Sequence, residues 1–340
     1  ESTISLKSEP GLVSALGPEP GRNTQDIVQF DTYPKFEFLG IKCTTNDRQP
    51  VFVTLNKPQQ AEELCDPLAS VSLAFSAPIF RSQVKEQFVF SPDLAGGKDF
   101  DPWGDGADHT RLSRPYTKGD TFDVYLPGGL KAAQTYALAI KAQDLSFFGR
   151  IWHWILSLFS EQPLTDLEDE FGRKLFKPFN LSFATDHRRP NFEIIHHDAV
   201  IEKSVDSEVP LYVNNLDKVI FDYRSITADG IKQSQTVSQD IPKVPDVQFA
   251  IPFGVRDMLG GNPGAVYGHL KTEPDVGKSG SQEHRLFAQV TPYQLHVKLG
   301  HYSTLVWVTD LATGEMVKDA KVTIYKDALE KLSEPKDVVA

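Results

Sequence analysis

Apolar residues along this chain recur mostly at every second position, in short runs broken by turn formers. Val71-Ser-Leu-Ala-Phe75 alternates apolar with small or polar residues, the pattern of a strand with one face buried. Phe122-Asp-Val-Tyr-Leu126, Tyr136-Ala-Leu-Ala-Ile140 and Phe179-Asn-Leu-Ser-Phe183 repeat it. Between them lie Asp93 through Gly97, Pro127-Gly128-Gly129 and Phe171-Gly172-Arg173, all turn chemistry. Short alternating strands at this spacing predict an antiparallel sandwich. The opening, residues 1–26, carries Pro10-Gly11, Gly17-Pro18 and Pro20-Gly21, and is expected to be a flexible lead-in.

A second block follows Arg188-Arg189-Pro190, with strand signals at Phe192-Glu-Ile-Ile195, Leu211-Tyr-Val213, Val219-Ile-Phe-Asp-Tyr223 and Val247-Gln-Phe249. It closes on Gly260-Gly261-Asn262-Pro263-Gly264 and a polar stretch from Glu273 to Glu283. A third block offers Leu295-His-Val-Lys-Leu299, Leu305-Val-Trp-Val308 and Lys321-Val-Thr-Ile-Tyr325, the last two joined through Thr313-Gly314-Glu315. It holds too few residues for a sandwich of about 100 residues, so a cut through a domain is expected at Ala340.

One segment departs from the β pattern. In residues 145–159, Ser146, Arg150, His153 and Ser157 fall at helical spacing and form a narrow polar stripe. Phe147, Phe148, Ile151, Trp152, Ile155 and Phe159 lie on the apolar remainder, together with Trp154 and Leu158. A helix of that length reaches only about 22 Å, too short for a bilayer core. The segment packs on its own domain or presents a docking face. The acidic residues beside it (Glu161, Asp166, Glu168, Asp169, Glu170) would oppose an anionic lipid surface, so the docking version takes a protein partner.

Composition narrows the class. The chain has 340 residues, 40% hydrophobic and 24% charged, which is enough apolar material for packed cores in two or three domains. No apolar run reaches the roughly 18 residues of a membrane-crossing helix. Against 35 basic residues stand 46 acidic ones, a net charge of −11, which argues against nucleic acid as a partner. Two cysteines, Cys43 and Cys65, cannot make a four-ligand zinc site but can close a loop. We expect a disulfide between them, with two separate buried thiols as the alternative. The low methionine count and Pro-rich loops point to an exported protein, and a chain that opens on Glu1 without a leader reads as a trimmed product.

Candidate chemistry is thin. His196-His197 on a strand would point to opposite faces and could not share a metal ion. Asp99, Asp101, Asp105 and Asp108 supply hard oxygens, but without EF-hand spacing or its closing Glu. Gly277-Lys-Ser-Gly-Ser281 is neither a nucleophile elbow nor a phosphate loop. Asn180-Leu-Ser182 matches a glycosylation sequon inside an expected strand. No catalytic residue, cofactor-binding residue or metal ligand is assigned, and the chain reads as no enzyme.

The third block resembles a family. Val306-Trp-Val-Thr309, then Leu311-Ala-Thr-Gly314, then Ala320-Lys-Val322 follow the order of a macroglobulin-like domain of the bacterial alpha-2-macroglobulins. The stretch from Ile251 to Gly268 is similar to the end of the domain before it. Leu73-Ala-Phe-Ser-Ala-Pro-Ile79, Phe171-Gly-Arg-Lys-Leu175 and Leu181-Ser-Phe-Ala-Thr185 resemble a bacterial Ig-like module. The resemblance implies an all-β chain of tandem antiparallel sandwiches with one inserted apolar helix. Its parts would be an Ig-like sandwich over 27–189 with a helical insertion at 145–170, a macroglobulin-like sandwich over 190–290, and the start of another over 291–340. It further implies a periplasmic protease trap, with proteases engaged by regions beyond this segment; separately, the apolar face of the helix is expected to dock an envelope protein. The family's Cys-x-Glu-Gln thioester is not carried here, since Cys43 precedes Thr44-Thr45-Asn46 and Cys65 precedes Asp66-Pro67-Leu68. The chain would then be scaffold. A surface or adhesion module built of Ig-like domains is the rival reading.

Overall fold

The computed structural model describes residues 1–104, 108, 110–141, 165–175, 179–227, 229–276 and 284–324. The chain divides into two compact units, Glu1–Arg188 and Arg189–Ala340, next to the Arg188-Arg189-Pro190 signal. The third block of the sequence reading clusters with the second unit.

The first unit opens with β1 (Thr3–Ser8) paired antiparallel to β2 (Gln25–Asp31). Of the expected flexible lead-in, residues 3–8 and 25–26 therefore lie in strands. The Pro-Gly pairs between Glu9 and Thr24 form the long loop that joins the two. Next come β3 (Phe38–Thr44), β4 (Pro50–Val53), β5 (Ser72–Phe75), α1 (Arg81–Gln87), β6 (Phe88–Ser91), β7 (Phe122–Tyr125), β8 (Thr135–Ile140) and β9 (Asn180–Ala184). They build a four-stranded sheet, β4-β3-β5-β7, and a three-stranded one, β6-β8-β9. The alternation that predicted these strands sets which face is buried: Tyr136, Leu138 and Ile140 of β8 point inward and Thr135 and Ala137 outward. Both sheets contribute to one core, with Ile41, Leu73 and Phe75 from the first and Phe88, Leu138 and Phe183 from the second. Phe38 stacks on Phe179 with ring centroids 4.1 Å apart, adding an aromatic contact to that core.

The second unit contains β10 (Asn191–Ile194), β11 (Asp198–Glu202), β12 (Val209–Asn214), β13 (Lys218–Thr227), β14 (Gly230–Ile231), β15 (Gln235–Asp240), β16 (Phe249–Phe253), the single-turn helix α2 (Val255–Met258), β17 (Gly264–Glu273), β18 (Arg285–Thr291), β19 (Tyr293–Leu299) and β20 (Thr304–Asp310). β10-β12-β16 faces a larger sheet ordered β11-β18-β17-β13-β14, with β15 also on β13. β19 and β20 form a separate hairpin.

The sheets are antiparallel as expected, with one parallel pair among the described strands, β11 with β18. Two strand expectations need correction. Val247 lies outside β16, which starts at Phe249 and accepts Pro252 because β16 is an edge strand. Of Lys321-Val-Thr-Ile-Tyr325, the described residues 321–324 form no strand, although the turn before them closes as expected. Gly314 there adopts φ 72°, its N–H donates to the Asp310 carbonyl at 2.8 Å, and Met316 returns opposite Thr309.

The expected apolar helix, with Phe147, Phe148, Ile151, Trp152, Ile155 and Phe159, lies outside the described residues. Residues 165–170, the end of the expected insertion, are not helical. Leu167 and Thr165 are fully buried, Glu168 bridges Lys174, and the Leu175 N–H donates to the Leu167 carbonyl. No helix among the described residues is long and apolar enough to cross a membrane.

Gly268 of β17 marks a close approach. A Cβ there would sit 2.2 Å from the Asp222 carbonyl oxygen and 2.7 Å from the Cα of Tyr223. Gly268→Ala is expected to destabilise the second unit by about 2 kcal/mol through overpacking against backbone, read as a lowered midpoint in urea.

Candidate functional site: the disulfide strap, the buried acid and the uncovered hairpins

Cys43 on β3 is bonded to Cys65, and both are buried in the first core. The residues before Cys65 form a strap. The chain leaves β4, turns at Thr54 and Lys57 with reciprocal backbone bonds, and returns along the end of β9. Gln59 fastens it, its Nε2 donating to the carbonyls of Glu63 at 2.7 Å and Ala184 at 3.0 Å, while the Ala184 N–H donates to its Oε1. Cys65 pairs in parallel with Thr185 just beyond β9. The disulfide thus ties a strand of one sheet to the margin of the other.

Asp169 holds the turn of Phe171-Gly172-Arg173. Its side chain has 0% exposure and is paired with Arg173. Oδ1 accepts the N–H groups of Phe171 at 3.0 Å and Arg173 at 2.9 Å, and Oδ2 accepts Nε of Arg173 at 2.7 Å. Arg173 also donates to the Pro34 carbonyl at 2.7 Å. Two other acids of that run are also paired, Glu170 with Arg111 and Asp166 with Lys174. Asp169→Ala would leave two N–H groups without their acceptor and take the ion pair from Arg173, which keeps its bond to Pro34. We expect a loss of about 2 kcal/mol, checked by thermal unfolding of the first unit.

The acidic loop of the sequence reading is likewise structural. Asp108 accepts the Ser82 N–H at 2.7 Å and its hydroxyl at 3.0 Å, capping α1 where Phe80 gives no side-chain cap. Asp101 pairs with Lys85, and that hydrogen bond holds its carboxyl below the usual range. Asp105 lies outside the described residues. His196 and His197 sit in the turn between β10 and β11, not on a strand, and Nδ1 of His197 lies 3.1 Å from the Arg285 carbonyl oxygen. Among the described residues, no group of three or more His, Cys, Asp or Glu side chains is placed to hold a metal ion. Gly277 through Ser281 also lie outside the described residues, and Asn180 is exposed on β9.

Asp222 on β13 carries a pH prediction. The Lys271 ammonium at 2.6 Å, then the Thr236 hydroxyl at 2.7 Å, hold its carboxyl below the ordinary value. A carboxyl lowered by folding contributes stability above its unfolded pKa and loses it as pH falls through the lowered folded value. Asp222→Asn is expected to lower the urea midpoint at neutral and alkaline pH and to flatten the acid limb, so that variant and parent converge at low pH.

Two hairpins present apolar faces that no described residue covers. On β1 and β2, Ile4 faces Phe30 and Leu6 faces Val28, each between 45% and 54% exposed. This hairpin is anchored at its base: the Tyr116 hydroxyl donates to Glu1 at 2.8 Å, the Lys118 N–H donates to Asp31 at 3.2 Å, and Tyr33 packs on Tyr116, Phe171 and Phe122. Burial, followed by the Glu1 carboxylate, pushes the Tyr116 hydroxyl up to about 12. On β19 and β20, Leu295 faces Val308 and Val297 faces Val306, and Leu299 at the tip is 79% exposed. An isolated two-stranded hairpin is marginal in water, which makes this exposure notable. Sequence reading found β19 and β20 but missed β1 and β2, although Thr3-Ile-Ser-Leu-Lys7 alternates plainly.

No protein-family model matches the chain, and no curated protein matches it. Among solved structures, it is similar to a crystal structure of native alpha-2-macroglobulin from Escherichia coli spanning domains MG0-NIE-MG1. The identity is 9%, with 83% of this chain and 80% of that one covered, at a TM-score of 0.38. A Salmonella alpha-2-macroglobulin reacted with methylamine is similar at 8% identity over 82% of this chain, with a TM-score of 0.45. The chain spans 15% of that Salmonella protein.

Proposed function

We propose that this chain is non-catalytic scaffold from an exported alpha-2-macroglobulin-like protease inhibitor. The observation that carries the reading is the third-block hairpin and its turn. Val306, Trp307, Val308 and Thr309 fall within β20, Leu311 through Gly314 form the reversal, and Met316 returns beside Thr309. That is the order in which the family motif uses them. The tandem β units and a buried disulfide, which forms in oxidising compartments, support the export and the scaffold role. In this reading β19 and β20 begin a further sandwich, and proteases are engaged by other parts of the protein.

The test is to incubate the full-length protein with a protease and follow hydrolysis of a large protein substrate and of a small peptide substrate. A trap loses activity on the large substrate and keeps it on the small one. Equal loss on both, or no loss on either, would set the reading aside. The uncovered apolar face of Ile4, Leu6, Val28 and Phe30 favours a second reading, an assembly or adhesion module that docks a protein partner. Full-length protein that leaves protease activity unchanged would favour it.

A further inference from the structure

We propose that the Cys43–Cys65 disulfide is a latch that fixes the path by which the chain leaves the first unit. After β9 the chain runs through Thr185, Asp186 and His187 to Arg188, the last residue of that unit. Residues that the disulfide draws together hold this exit by hydrogen bonds from two flanks. The Asp186 N–H donates to the Cys65 carbonyl at 2.8 Å. Asn46 donates through Nδ2 to Asp186 Oδ2 at 2.8 Å and to the His187 carbonyl at 2.9 Å. A further bond, from the Ala133 N–H to the Asp186 carbonyl at 2.9 Å, comes from elsewhere in the unit.

Cys65 ends the strap on one flank of the exit, and Asn46 stands in the turn that follows Cys43 on the other. That turn is set by Thr45, whose N–H donates to the Gln49 carbonyl at 2.9 Å, and by Arg48 at φ 61°. One covalent bond therefore joins the two clamps. With the bond in place, opening the exit requires breaking both at once. Without it, the covalent tie between the flanks is gone, and weaker bonds remain: Gln59 on Ala184, the backbone bond of Cys65 to Ala184, and the Asp66 N–H on the Thr44 carbonyl at 2.8 Å, so the clamps open more readily. A dithiol that donates two electrons and two protons would cleave the S–S bond to two thiols, becoming a disulfide itself. Reduction would then loosen the exit of the chain before it unfolds the core of the first unit.

Limited trypsin digestion of the full chain reads the latch directly, because the exit ends on Arg188-Arg189. The quantity is the rate of cleavage after Arg188 relative to that after Lys98, in an exposed loop of the same unit. In Cys43→Ala/Cys65→Ala the ratio is expected to rise at least about tenfold. Asn46→Ala, with the disulfide intact, is expected to raise it about threefold. An unchanged ratio in either folded variant overturns the latch, as does equal acceleration at both sites. Should the cysteine variant fail to fold, Asn46→Ala decides alone.

Discussion

Replacing Phe221 with alanine is expected to lower the stability of the second unit by about 4 kcal/mol, twice the loss expected for Gly268→Ala in the same sheet. Phe221 is fully buried at the centre of β13, the strand flanked by β15 on one side and β17 on the other. Its ring stacks on Tyr223 at 5.3 Å and meets Phe253 edge-on at 5.3 Å, so it joins the larger sheet to β16 of the smaller one. Truncation removes that aromatic surface and leaves a cavity whose walls, being strands paired on both sides, cannot collapse into it. Urea unfolding followed by tyrosine fluorescence measures the change. Val200→Ala, at a position 65% exposed on edge strand β11, should stay within about 0.5 kcal/mol of the parent.

Removing the disulfide comes next. Cys43→Ala/Cys65→Ala frees a loop of 22 residues in the unfolded chain, and the first unit should lose about 3 kcal/mol. The second unit has its own core and should keep its unfolding midpoint. Calorimetry of the full chain separates the two transitions, and only the one assigned to the first unit should move. A shift of both together would mean that the two cores unfold as one cooperative body.

Much of this was legible in the sequence because burial on one face leaves a period of two. β5, β7, β8, β9, β10, β12, β13, β19 and β20 all came from that signal. Several elements escaped it for physical reasons. β18 was missed although Leu286, Ala288 and Val290 alternate, because its start abuts the polar stretch from Glu273 to Glu283 and Pro292 alone separates its end from β19. β15, Gln235-Thr-Val-Ser-Gln-Asp240, is almost wholly polar because it is an edge strand that buries little. α1 has seven residues and a single buried one, Val84, so a helical period never develops. The parallel pairing of β11 depends on where the chain crosses between sheets after β10, and local patterning does not encode that.

The chemistry divides along the same line. The two cysteines were identifiable because a chain with only two invites their pairing. The strap's real anchor is Gln59, and it was invisible because its partner, Ala184, lies far along the chain. Asp169 looked like one acid in an acidic run; what sets it apart from Asp166 and Glu170 is that, besides pairing with Arg173, it accepts two backbone N–H groups of the turn.

As proposed, this segment is scaffold of a protease trap. Its most direct test is protease challenge of the full-length protein, with the first cleavage mapped by mass spectrometry and compaction followed on a native gel. The scaffold account predicts one early cut outside residues 1–340, a faster-migrating species, and both units of this segment intact. An early cut inside the segment, or scattered cleavage with no compaction, would contradict it.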